Sequence, residues 1–301
     1  MPSSNDQKLR IFFSVDVVGS TEYKTKQKSP ATDWSKFYRN FFDDFQTQFA
    51  GKLSEERESS RQLPSTSIWK LLGDEILYTA VVKNSGDVVA LTRAFYRSVF
   101  DYDRVNDEQS HLRVKATGWT AGFPIRNAEI HIKELSGSDF IHPDYIGQDI
   151  DIGFRLGKTT RAGRMSVSMD LAHILAGHKD LNFKFYHVGW ERLKGIFDNK
   201  PYPVIWITED DKTRTLPWED FECALTREFL QKGTIERKTL LNLIKEVRQE
   251  LSKLELIEPY YDESDMPESH RVIWEKWKLE EKLEEEFDVL NSGDDEPLGS
   301  D

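Results

Sequence analysis

Residues 10–19, RIFFSVDVVG, are nearly unbroken in apolar, β-branched and aromatic positions. That is the pattern of a strand buried on both faces, and Asp16 is its one acid. Trp34, Phe37, Phe41, Phe45 and Phe49 then recur at three- and four-residue steps, which predicts a helix over residues 32–53 with one aromatic face turned inward. The polar run SEERESSRQLPSTS reads as an exposed loop. Residues 67–80, SIWKLLGDEILYTA, form two strand runs joined through Gly73, with Lys70, Asp74 and Glu75 around the turn. A second helix is expected over about residues 88–105, with Leu91, Phe95 and Val99 inward, followed by a strand over residues 112–123. RMSVSMDLAHIL reads as a short strand running into a helix, and FKFYHVGWERL and YPVIWIT as closing strands ending near Thr208.

This order of elements predicts an α+β fold with a ferredoxin-like core, an antiparallel-rich sheet with helices on one face. Beyond about Asp210 the apolar pattern narrows to Leu240, Ile244, Val247, Leu251 and Leu254, a helical seam that packs on the core or on a partner. A charged helix then fades into an acidic tail expected to be disordered. The chain divides into a flexible start at residues 1–9, a main domain at 10–210, a helical extension at 211–288 and the tail at 289–301.

A chain of 301 residues with 38% hydrophobic content can fill a sizeable core. The net charge of -12 argues against a surface built to neutralise nucleic-acid phosphates, while leaving room for a local site that holds one nucleotide. Cys223 is the only cysteine, so no internal disulfide or thiolate cluster is possible, as suits a reducing cytosol. The start, MPSSNDQKLR, lacks an apolar leader, and no run approaches about 20 apolar residues, so a cytoplasmic protein away from membranes is expected.

The chemistry centres on Asp16. A carboxylate inside an apolar strand is costly unless paired or bound to a cation, and the following Gly19-Ser20-Thr21 offers small side chains and amides suited to phosphate oxygens. The alternative is an Asp16 paired to an arginine, with Ser20 or Thr21 as a helix cap. If the first strand and the hairpin are neighbours, Asp74 can join Asp16 on divalent metals that hold a triphosphate; otherwise Gly73-Asp74-Glu75 is a turn with solvated acids. GFRLGKTTRAG resembles a phosphate loop, but only three residues separate its first glycine from Gly157-Lys158-Thr159 and no clear strand leads into it. His131, His142, His173 and His187 do not cluster at metal-ligand spacings.

Taken in order, these motifs resemble the class III nucleotidyl cyclases, over about residues 10–208. FFSVDVVGST is similar to the family's first-strand motif, which implies that Asp16 and the Val17 carbonyl hold metal and that Gly19, Ser20 and Thr21 lie under the phosphates. WKLLGDE resembles its Lys-x-x-Gly-Asp hairpin, implying Asp74 as second metal ligand and Lys70 as a base-side residue. DYIGQDIDIGFRL follows the pattern that implies Asp144 at the other base-reading position and Arg155 as the transition-state arginine, and ERLKGI implies Lys194 as a triphosphate ligand. Asp151 stands where the family has a catalytic asparagine, Gly153 where it has alanine, and Glu75 where small residues are usual.

With the acidic helical extension, these departures resemble the pyrimidine cyclases of Pycsar antiphage defence systems. The resemblance implies conversion of UTP to 3′,5′-cyclic UMP and diphosphate with two Mn²⁺ or Mg²⁺ ions per site, and a cyclic nucleotide that activates a neighbouring effector. It also implies a homodimer with sites at the interface, Asp74 coming from one protomer and Lys70, Asp144, Arg155 and Lys194 from its partner. CTP, a purine triphosphate, a catalytically dead binding domain and an NTPase relying on Lys158 are the alternatives.

Overall fold

The apolar run at the start of the chain becomes a central strand, β1 (Lys8–Val18), two residues longer at its start than the pattern implied. Phe12 and Phe13 point to opposite faces of the sheet and both are fully buried, so strand alternation puts apolar weight on each side. The computed structural model describes residues 8–26, 32–60, 62–109, 113–133, 141–179, 182–209, 234–251, 260–261, 266, 268, 270–276 and 278–280. Leu254, Cys223 and the acidic tail lie outside these residues.

The hairpin is β2 (Ser67–Leu72) and β3 (Glu75–Val82), with Gly73 at φ 68° in its turn, a backbone that glycine adopts without penalty. β4 (Arg113–Phe123), β5 (Asn127–Lys133), β6 (Ile141–Gly147), β7 (Met165–Val167), β8 (Lys184–Arg192), β9 (Pro201–Thr208) and β10 (Thr234–Ile235) follow. Eight strands form one sheet in the order β10-β8-β9-β7-β4-β1-β3-β2; β4 and β7 pair parallel and the other neighbours antiparallel. β5 and β6 make a separate two-stranded ribbon.

Helices α1 (Ser20–Lys26), α2 (Thr32–Ser60), α3 (Ser85–Gln109), α4 (Gln148–Leu156), α5 (Met169–Gly177) and α6 (Arg237–Leu251) accompany the strands, and residues 270–276 are helical as well. Phe41, Phe45 and Phe49 of α2 and Leu91, Phe95 and Val99 of α3 fill the larger core with Ile11, Phe13, Val15 and Val17 of β1. α5 and α6 join the same core, and Leu240, Ile244, Val247 and Leu251 of the seam are buried in it. The result is an α+β fold with a mainly antiparallel sheet and its long helices on one face. The opposite face carries a smaller aromatic core of Phe12, Leu77, Trp119, Phe123, Tyr145 and Ile150, covered by α4 and the ribbon.

One expectation is corrected. Residues 54–60 continue α2 and are not a loop. Their Glu and Arg content suits a helix, and Glu56 is buried between Arg93, at 3.0 Å, and Arg97 of α3. The short α1 escapes the sequence patterns because it has no sustained apolar period, whereas Ala128, Ile130 and Ile132 of β5 do alternate with polar residues, a strand signal that went unread.

Candidate active site

Cross-strand register assembles the first half of the site. Asp16 sits opposite Glu75 of β3 on one side and Lys115 of β4 on the other. Lys115 Nζ lies 3.2 Å from Asp16 Oδ2 and donates to the Gly157 carbonyl, 3.0 Å away at the end of α4. Asp16 is therefore paired with a lysine, not with the arginine of the alternative sequence reading. Ser14 Oγ donates to Glu75 Oε1. Burial pushes the Asp16 carboxyl above the usual aspartate range; Lys115 pulls it back and the charge of Asp74 pushes it further up. Burial raises Glu75 as well, opposed by the Ser14 hydroxyl and reinforced by Asp16 and Asp74.

The charge of Asp74 thus reaches both Asp16 and Glu75, and carboxylate oxygens are hard donors of the kind that suit a divalent cation. Among the described residues no three His, Cys, Asp or Glu side chains are grouped so as to hold a metal ion. A cation bound by only two of these carboxylates would need its remaining ligands from backbone, water or a phosphate, as Mg²⁺ sites usually do. Val17 follows Asp16 one residue before the end of β1, and Gly19, at φ 78°, turns the chain into α1, which begins with Ser20 and Thr21. Ser20 is buried and hydrogen-bonded with Tyr38, whose phenol burial pushes up to about 12.

The second half lies between β2, β6 and α4. Lys70 Nζ donates to Asp144 Oδ1 at 2.6 Å, Trp69 Nε1 donates to the same oxygen at 3.1 Å, and the Tyr145 backbone N–H does so at 2.9 Å. Burial pushes Asp144 upward, but these donors, Lys70 foremost, hold its carboxyl below the usual range. On α4, Arg155 Nε donates to the Lys194 carbonyl at 2.7 Å, and its Nη1 lies 3.0 Å from the Asp151 carbonyl and 3.1 Å from Asp151 Oδ1. The structure thus brings Asp151, Arg155 and the Lys194 backbone together, and Lys70 with Asp144. Lys158 lies in the turn after α4, so the glycine-lysine-threonine run follows a helix and not the strand a phosphate loop requires.

α4 is held from beneath. Asp149 is buried, accepting from Arg126 at 2.5 Å and Asn127 at 2.7 Å, while its N–H donates to Asn127 Oδ1 at 3.1 Å. A Cβ at Gly153 would lie 2.2 Å from the Trp119 ring, so glycine replaces alanine at this position of the resembled motif because an indole fills the methyl's space. Lys115, Trp69 and Asp149 went unrecognised in the sequence. A lysine inside the apolar RVKATG strand was a readable signal for Lys115, whereas nothing local marks the other two.

No protein-family model matches the chain, and no curated protein matches it in sequence. Solved structures match it in shape. The adenylyl cyclase CyaB from P. aeruginosa superposes with a TM-score of 0.54 at 14% identity, over 70% of this chain and 99% of that one. The guanylyl cyclase Cya2 gives 0.50 at 12% identity, over 71% of this chain and 98% of the other. The chain therefore has the class III nucleotidyl cyclase fold. Among the described residues no helix is long and apolar enough to cross a membrane.

Proposed function

We propose that this protein is a metal-dependent nucleotide cyclase that converts UTP to 3′,5′-cyclic UMP and diphosphate, a cytoplasmic second messenger for an effector in Pycsar-type antiphage defence. The observation that carries the cyclase reading is the electrostatic coupling of Asp16 on β1 to Asp74 at the turn of the β2–β3 hairpin, within a cyclase fold, with Lys70 of that same hairpin paired to Asp144 of β6. The ribose 3′-oxygen attacks the α-phosphorus, losing its proton as the bond to the β-phosphate oxygen breaks and diphosphate leaves. Two Mn²⁺ or Mg²⁺ ions, bound by Asp16, Asp74 and the Val17 carbonyl, would acidify that hydroxyl and neutralise phosphate charge.

The chain's own groups do the rest. Arg155 offsets charge that develops on the transferring phosphoryl group, and Lys194 holds the triphosphate with Gly19, Ser20 and Thr21. Asp151 cannot donate a hydrogen bond while ionised; its contact with Arg155 supports an orienting role for it in place of the asparagine's. Lys70 and Asp144 read the base. The sites form between two protomers, and the exposed apolar Ile68, Leu71 and Leu72 on β2 support a partner surface there. Asp144 and Lys70 also suit the adjacent donor and acceptor of cytosine and adenine, so CTP and purine triphosphates are the competing substrates. Retention of both acids speaks against a dead nucleotide-binding domain.

Incubating the protein with Mn²⁺ and each of the four nucleoside triphosphates, with products identified by mass spectrometry, tests the reading. Cyclic UMP is expected, and Asp16→Ala or Asp74→Ala should abolish it while Lys158→Ala leaves it intact. No cyclic product from any triphosphate defeats the enzymatic reading; cyclic AMP or cyclic GMP alone defeats the pyrimidine one.

A further inference from the structure

On a regular strand, neighbouring side chains face opposite ways, so Trp69 and Lys70 should not meet one partner. They do. Ile68 pairs with Tyr78 and Lys70 with Leu77, with the register shifting between them, so that Trp69 is the extra residue of a β-bulge. A bulge re-aims side chains, and here it brings two consecutive ones onto Asp144 Oδ1. The Tyr145 N–H is the third donor to that atom. With three donors on Oδ1, Oδ2 is left as the accepting edge of the carboxylate.

The indole also holds Lys70, whose Nζ sits 4.2 Å from its ring centroid, a cation–π contact. The ring is itself fixed, with centroids of Phe12 and Tyr145 at 5.2 Å and of Phe154 at 5.8 Å. Phe154 is the residue before Arg155, so the same ring ties the pair to the helix carrying the arginine. Resting on the reading of Lys70 and Asp144 as base-side residues, we propose that Trp69 is a positioning residue that sets base specificity. It clamps the ammonium and the carboxylate so that Oδ2 and the remaining Lys70 N–H donors meet the hydrogen-bonding edge of a nucleoside triphosphate's base in one register. Without the indole N–H, Asp144 loses a donor that fixes its rotation and can turn toward other bases.

Trp69→Phe keeps an aromatic ring against Phe12 and Tyr145 and removes the donor. Two measurements on the full chain test it: steady-state kinetics with the four triphosphates and Mn²⁺, and calorimetric binding of their four non-cleavable α,β-methylene analogues. The ratio of kcat/KM between best and second-best base should fall about tenfold, through KM, with kcat for the best base changed less than about twofold. The ratio of analogue affinities should fall in parallel. Unchanged ratios in a variant that melts like the wild type overturn the inference, leaving Trp69 a packing residue, and so does a wild-type protein that binds all four analogues equally. If the wild type makes no cyclic product yet its analogue affinities differ and Trp69→Phe levels them, the cyclase reading fails while the role of Trp69 stands. Absence of any analogue binding overturns both.

Discussion

At Asp16 a lysine and two further acids meet around one strand position, and the balance among them decides what the site can hold. Lys115 offsets carboxylates whose mutual repulsion would otherwise grow, so Lys115→Met should lower the melting temperature by about 2–4 °C in metal-free buffer. Added Mn²⁺ should then raise it more than in the wild type, because the cation no longer competes with an ammonium for Asp16; equal shifts in a thermal melt would count against this. The nearness of Asp16 and Asp74 was legible in the sequence, because an acid in an apolar strand and another beside a lysine in an apolar hairpin both invited the expectation that they meet. Trp69 was not, since strand alternation puts it on the wrong side and the bulge that corrects this arises from pairing with β3.

Among the elements, α4 carries Asp151 and Arg155 of the second half of the site within nine residues. The sequence announced it only through a motif, as its apolar positions split between the two cores: Ile150 joins the small aromatic one and Ile152 and Leu156 the larger. Gly153→Ala should cost about 1–3 kcal/mol or more in urea unfolding, because the new methyl must displace the Trp119 ring or the helix, and it should depress turnover by moving Asp151 and Arg155. In a Trp119→Ala background the same substitution should cost less, a coupling that a double-mutant cycle reads directly. The C-terminal helical residues 270–276 bring a different liability. Burial, with Arg126 adding to it, pushes His270 down to about 4, so the imidazole is neutral in the fold. Its stabilising contribution is whole above its ordinary value near 6.5 and is lost as pH falls from there toward 4. His270→Phe should therefore flatten the decline of melting temperature across that interval.

For the whole molecule, the main strands and helices and the core came through strongly periodic segments, whereas the proposed assembly rests on surfaces that no single chain completes. If Asp74 and Arg155 serve one site from different protomers, then Asp74→Ala and Arg155→Ala are each inactive alone yet complementary. Mixed in equal amounts and allowed to exchange, half of the dimers are mixed and each has one intact site, so about a quarter of wild-type cyclic nucleotide production should return. No recovery, with exchange verified by native mass spectrometry, would mean that each site is built within one chain. The extension belongs to this scale too. Arg248 of α6 is buried with its Nη2 2.7 Å from Asp170 of α5, and Asp170 lies 3.6 Å from Arg126, the residue that holds Asp149 beneath α4. Arg248→Met should cost about 3 kcal/mol by leaving Asp170 with the more distant arginine alone, measured by urea unfolding.

The contact between Gly153 and Trp119 reaches beyond this one chain, into how such sequences can drift. A bare α-carbon on the helix and an indole on the strand interlock so closely that the helix position cannot change first without penalty: alanine at 153 is disfavoured until the ring at 119 has shrunk. Descent should therefore leave a covariation between two sites 34 residues apart in sequence, with larger residues on the helix accompanying smaller ones on the strand. One order of substitution is favoured as well, the strand giving way before the helix.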